Sequence, residues 1–137
     1  MNYALEIKDL RISFASDGKR VEVVSGVSIN VPKGKIVGVV GESGCGKTVT
    51  ALSTMRLIPD PPGKIDSGEI IFDGADILNY SDRDMRSIRG NRISMIFQEP
   101  ISSLNPVFTV GDQIGEALTT HLKLSSEEEK DRVIELL

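Results

Sequence analysis

The residues that could do chemistry lie in one short stretch, Gly41-Glu42-Ser43-Gly44-Cys45-Gly46-Lys47-Thr48. It meets G-x-x-x-x-G-K-[ST] at every fixed position, the pattern of a phosphate-binding loop. Gly41, Gly44 and Gly46 carry no Cβ, so the main chain there can take positive φ and press close to an anion. Successive N–H groups between Val40 and Val49 would then face inward as a nest, joined by the open amides of a helix start. Lys47 would reach the β- and γ-phosphates of a nucleotide, and the Thr48 hydroxyl would ligate Mg²⁺. Cys45, the only cysteine, falls at the mouth of that helix. A thiol there is expected to be reactive and to be covered by a bound nucleotide.

The loop needs a strand before it and a helix after it. Lys35-Ile36-Val37-Gly38-Val39-Val40 is short, apolar and β-branched, which predicts a buried strand. From Thr48 the apolar positions 51, 52, 55 and 58 have helical spacing, and Pro59 ends the run. Ahead of the loop, residues 4–14 alternate loosely, with an irregularity expected near Lys8-Asp9, and Val21–Val31 forms a second strand region beyond the turn Ser16-Asp17-Gly18-Lys19. An antiparallel hairpin is expected. Beyond the loop, Glu69–Phe72 predicts a short strand closed by Asp73-Gly74, Ser81–Arg89 a polar helix, and Arg92–Phe97 another strand ending at Gln98. Gln98–Pro106 is a loop, residues 109–123 a helix, and Ser126-Glu127-Glu128-Glu129 a capping box for a last helix.

Bulk properties narrow the class. A chain of 137 residues is one domain's worth at most, and 39% hydrophobic with 26% charged residues is an ordinary globular composition. A net charge of −4 argues against a general nucleic-acid binder. No apolar run approaches the ~20 residues that span a bilayer, and the first residues lack the apolar core of a secretory leader. A single cysteine forms no internal disulfide, which suits the cytosol. A cytoplasmic protein is expected, with membrane contact only through a partner.

The order of these pieces, over essentially all of the chain, resembles the nucleotide-binding domain of ATP-binding-cassette (ABC) transporters. The segment Ile93-Ser94-Met95-Ile96-Phe97-Gln98-Glu99-Pro100-Ile101-Ser102-Ser103-Leu104-Asn105-Pro106 is most similar to the oligopeptide and dipeptide importers. The resemblance implies an α/β fold: a P-loop NTPase core with an N-terminal antiparallel β region in residues 1–98, then the Q-loop and the start of a helical subdomain in residues 99–137. It makes Gln98 the Q-loop glutamine, touching Mg²⁺ and the attacking water, and Phe14 the aromatic residue that stacks on adenine. It implies ATP and Mg²⁺ as cofactors. Transmembrane permease subunits and a second ATPase subunit are the implied partners, at the cytoplasmic face of the membrane, with a permease helix received near Ile101, Leu104 and Phe108.

Three further family motifs do not occur: a strand ending in Asp-Glu (Walker B), a Leu-Ser-Gly-Gly-Gln signature and a switch histidine. Asp73 is followed by Gly74, Gln98 stands where the metal-binding aspartate would belong, and His121, the sole histidine, falls inside a predicted helix. The expectation is therefore an incomplete domain in which nucleotide binding survives better than hydrolysis, with an apolar edge left exposed. Two other readings stay open. One is a non-catalytic ATP-binding or assembly module. The other is a different P-loop enzyme, a kinase or GTPase; Asp60-Pro61-Pro62-Gly63 fits one GTPase string, but Asn-Lys-x-Asp is absent.

Overall fold

A computed structural model of the chain describes residues 2–99 and 104–137. It divides into two compact units, one up to Met85 and one from Arg86 to Leu137.

The first unit is built on an antiparallel sheet of order β2-β1-β3-β4, comprising β1 (Tyr3–Ser16), β2 (Lys19–Pro32), β3 (Gly63–Phe72) and β4 (Ala75–Asp76). Two Asp-Gly turns set its register. Asp17 and Gly18 have φ 48° and 74°, and Asp73 and Gly74 have φ 48° and 85°. Two consecutive positive φ angles match the twist of a two-residue hairpin, and they pair Ser16 with Lys19 and Phe72 with Ala75. The sheet buries Ile7, Leu10 and Ile12 of β1 with Val24 of β2 and Ile70 of β3. Burying each such side chain contributes about 1.5–3 kcal/mol. A 3₁₀ turn (Ile77–Asn79) follows β4, and Ile77, Met55 and Met85 are also buried.

The irregularity near Lys8-Asp9 is present. Asp9 takes φ 45°, its N–H donates to Ser28 Oγ at 2.9 Å, and the register of β1 shifts there against both neighbours. Gly68 of β3 lies against this bulge at φ 106°. A Cβ on it would stand 2.6 Å from Leu10 Cα and 2.7 Å from Lys8 O.

The remaining helices are α1 (Lys47–Ser53), α2 (Asp82–Ile88), α3 (Val110–His121) and α4 (Ser126–Leu136). In the second unit, Gly115 of α3 leaves room for Glu129 of α4, whose Oε1 would be 2.4 Å from a Cβ there, and Val133 is buried.

Four expectations need correction. The segment 35–40 joins no strand among the described residues, and Ile36 and Val40 are almost completely exposed rather than buried. Segment 92–97 likewise makes only the bridge Arg89–Ile93, with Ile96 exposed. Both are apolar enough for an interior strand, but a strand needs a neighbour, and among the described residues the sheet pairs only β1–β4. Third, α1 ends at Ser53 instead of running to Pro59, because its last carbonyls are taken by a closing turn through Arg56. Fourth, the last capping box begins one residue earlier. Ser125 Oγ accepts from Glu128 N–H, and the Glu128 carboxylate accepts from Ser125 N–H.

Two measurements check this account. Gly68→Ala sets a Cβ into backbone atoms at positive φ and is expected to destabilise the chain by about 3 kcal/mol; a denaturant midpoint equal to the parent's would contradict the packing. The Ser125 amide and hydroxyl hold the Glu128 carboxyl below the usual carboxylate range. A depressed folded pKa stabilises α4 above the ordinary carboxylate pKa and is lost as pH falls through the folded value. Glu128→Ala should therefore remove part of the acid-side loss of helicity seen by circular dichroism.

Candidate functional site

Residues 41–48 close into a loop around one ammonium group. Lys47 Nζ donates to Gly41 O and Glu42 O, each at 2.7 Å, and lies 3.6 Å from Cys45 Sγ. Lysine has three donor hydrogens. Two carbonyls hold the Lys47 Nζ against the loop, and the third donor direction is left to the weak thiol acceptor. The glycines allow this path. Gly44 and Gly46 take φ 80° and 92°, and a Cβ at Gly46 would stand 2.9 Å from Val23 O. The loop thus rests directly on the main chain of β2, a contact 23 residues back in sequence that no local pattern announces.

The start of α1 differs from the other helix starts. Ser81 with Asp84, Thr109 with Asp112 and Ser125 with Glu128 each form a hydroxyl–carboxylate box at the head of α2, α3 and α4. At α1 the N-cap is Gly46 in the left-handed conformation, with no side-chain cap and no acidic residue in the first turn. Its first amides therefore remain for an external acceptor, and the helix dipole adds positive potential to the Lys47 charge.

The hydroxyls of α1 divide in the same way. Thr50 Oγ1 donates to Gly46 O at 2.9 Å, Ser53 Oγ to Thr50 O at 2.6 Å and Thr54 Oγ1 to Ala51 O at 2.7 Å. Thr48 makes no such back-bond and is exposed, as a hydroxyl that is to meet a hard cation must be. Glu42, Ser43 and Cys45 are exposed around the loop, and Val49 is half-buried on the first turn of the helix. On the inner side an open cleft of about 610 Å³ separates the loop and α1 from the apolar sheet face of Leu5, Ile7, Val27, Ile29 and Val31.

Phe14 is half-buried on β1, opposite Val21 and Gly63, with its Cε1 where a Gly63 Cβ would lie at 2.9 Å. Gln98 is exposed in a bend that follows segment 92–97, in the second unit. Leu104 and Phe108 are exposed, as are Val107 and Val110, while Ile101 lies outside the described residues. The structure brings Gly41 to Thr48 together as one site. Phe14 belongs to the same unit, and Gln98 to the other.

The ABC transporter family matches residues 24–137. The chain is 49% identical over 133 residues to the oligopeptide transport ATP-binding protein OppD of Bacillus subtilis, covering 97% of this chain and 37% of that protein. It is 46% identical over 137 residues to the dipeptide transport ATP-binding protein DppD of the same organism, covering 100% and 41%. Among solved structures it is similar to the dimeric structure of MJ0796, a bacterial ABC transporter cassette, with TM-score 0.82 at 22% identity, over 96% of this chain and 54% of that one. That likeness concerns the fold alone. The chain spans about two-fifths of the length of these curated relatives.

Cys45 supplies a direct probe of the loop. Its thiol is exposed beside Lys47 Nζ. Saturating Mg-ATP is expected to slow its alkylation by iodoacetamide at least about fivefold, read by mass spectrometry. Equal rates with and without nucleotide would place the phosphates elsewhere.

Proposed function

This chain belongs to the ABC transporter family, and on that premise we propose that it forms the ATP-gripping part of a subunit that energises peptide transport. The observation that carries the proposal is the closed loop 41–48, with Lys47 Nζ fixed at its centre and an uncapped helix start behind it. The amides of 41–49 would cradle the phosphates, Lys47 would neutralise the β- and γ-oxygens, and Phe14 would pack on the base. Thr48, whose hydroxyl is not spent on the helix, would hold Mg²⁺. A bound Mg²⁺ supplies charge neutralisation between the β- and γ-phosphoryl oxygens.

The fit of the residues supports this cofactor pair. A triphosphate needs several N–H donors and a cation in one concavity, and residues 41–48 offer both, with no carboxylate heading α1 to compete. The names of the relatives, oligopeptide and dipeptide transport ATP-binding proteins, support peptides as the cargo class. Permease subunits and a second ATPase subunit would be the partners, at the cytoplasmic face of the membrane. No helix among the described residues is long and apolar enough to cross a membrane, so the membrane contact proposed is through the permease. The exposed Leu104, Val107, Phe108 and Val110 offer the apolar surface for that contact. Turnover is proposed for the assembled transporter, since the 137 residues hold no apolar strand ending in Asp-Glu.

The test is nucleotide affinity. Lys47→Ala removes a charge-assisted contact worth about 1.5–3 kcal/mol and is expected to weaken Mg-ATP binding by about 10- to 100-fold in calorimetric titration. GTP is expected to compete less well than ATP. An unchanged affinity in the alanine variant would remove the basis of the proposal.

A further inference from the structure

The helix that carries Lys47 and Thr48 is closed at its far end by an unusual residue. Beyond Ser53 the chain turns, and Arg56 stands at φ 50°. Arg56 N–H donates to Ser53 O and Leu57 N–H donates to Leu52 O, both at 3.0 Å. This pair of bonds is a Schellman closure, and its left-handed position is usually glycine because a Cβ is crowded there. The arginine side chain has a second task. Its NH1 donates to Tyr80 O at 2.6 Å, and its NH2 lies 3.6 Å from the Asp82 carboxylate. Tyr80 follows the 3₁₀ turn and Asp82 opens α2, so one side chain ties the end of α1 to a segment more than 20 residues onward. The Arg56 side chain is 27% exposed.

We propose that Arg56 is a positioning residue of the nucleotide site, setting the direction in which α1 presents Lys47 and Thr48. The proposal rests on the phosphate-gripping role of residues 41–48. α1 has seven residues, so it is about 10 Å long, and a tilt of about 10° at one end moves the other by about 2 Å. Hydrogen bonds to a phosphate tolerate only a few tenths of an ångström. The near end rests on β2 through Gly46 but carries no side-chain cap that would set the direction of the helix. The far end therefore fixes the helix, and the Arg56 contacts with Tyr80 and Asp82 fix the far end.

Glycine at position 56 separates this role from a purely structural one, because it suits the left-handed turn and removes only the tether. Mg-ATP affinity is measured by calorimetry on the 137-residue chain beside its melting temperature, for Arg56→Gly, Arg56→Lys and Lys47→Ala. Arg56→Gly is expected to melt within about 3 °C of the parent, yet bind Mg-ATP about five- to tenfold more weakly. Arg56→Lys keeps a donor for Tyr80 O and is expected to come within about twofold of the parent. Parent affinity in the glycine variant overturns the proposal. So does a parallel fall of melting temperature and affinity in both position-56 variants. If Arg56→Gly melts too low to titrate, Arg56→Gln takes its place, and parent affinity in it overturns the proposal equally. Weakened binding in Lys47→Ala with none in Arg56→Gly defeats the Arg56 role alone. Full binding in Lys47→Ala defeats the nucleotide site and this role with it.

Discussion

Backbone amides demand acceptors, and at the start of α1 the chain supplies none of its own. A buried or dipole-aligned N–H left without a partner is costly, and proteins normally close helix heads with side chains. This chain does so at α2, α3 and α4, each with a hydroxyl and a carboxylate three residues apart. A carboxylate at the head of α1 would occupy and repel the place of an incoming anion. Gly46 gives the turn without the cap, and Lys47, held by two carbonyls, gives the charge without rotational freedom. Preorganisation of this kind lowers the entropy that a ligand must otherwise overcome.

That arrangement needs a platform, which is the antiparallel sheet. Gly46 touches Val23 and Val24 of β2, and β2 is held by β1, the strand whose Ile7, Leu10 and Ile12 are among the most deeply buried residues of the chain. Tight Asp-Gly turns join β1 to β2 and β3 to β4, and β3 returns past α1 to pair with β1. The segments flanking the site obey a different rule. Residues 35–40 and 92–97 are apolar, but parallel strands find neighbours only across long connections. Among the described residues no strand pairs with them beyond the bridge Arg89–Ile93, and Ile36, Val40 and Ile96 are left in water.

Much of this was legible from residue types. The loop motif marked the turn 41–48, Asp17-Gly18 marked the first hairpin turn and Asp73-Gly74 the end of β3, and the apolar spacing after Thr109 marked α3. The disturbance near Lys8-Asp9 showed as a break in alternation. Other features left no mark. β-branched residues at 36–40 signal a strand equally well whether a neighbour is present or not, so burial could not be inferred from them. Ser125 and Ser126 are interchangeable as letters, and only the reach of Glu128 decides which one caps α4. Arg56 at a glycine-type position was invisible because helical spacing continues past it to Ile58. Its side chain reaches Tyr80 and Asp82, far along the chain.

The bulge in β1 and the bare Cα of Gly68 are two halves of one shape. Neither is tolerable without the other: a straightened β1 would leave a void over position 68, and a side chain at 68 would collide with a bulged β1. In evolutionary language the two sites form a linked inheritance, free to drift only in concert. A chimaera that borrows β1 from a relative of regular strand geometry must borrow β3 as well, or its seam will not close.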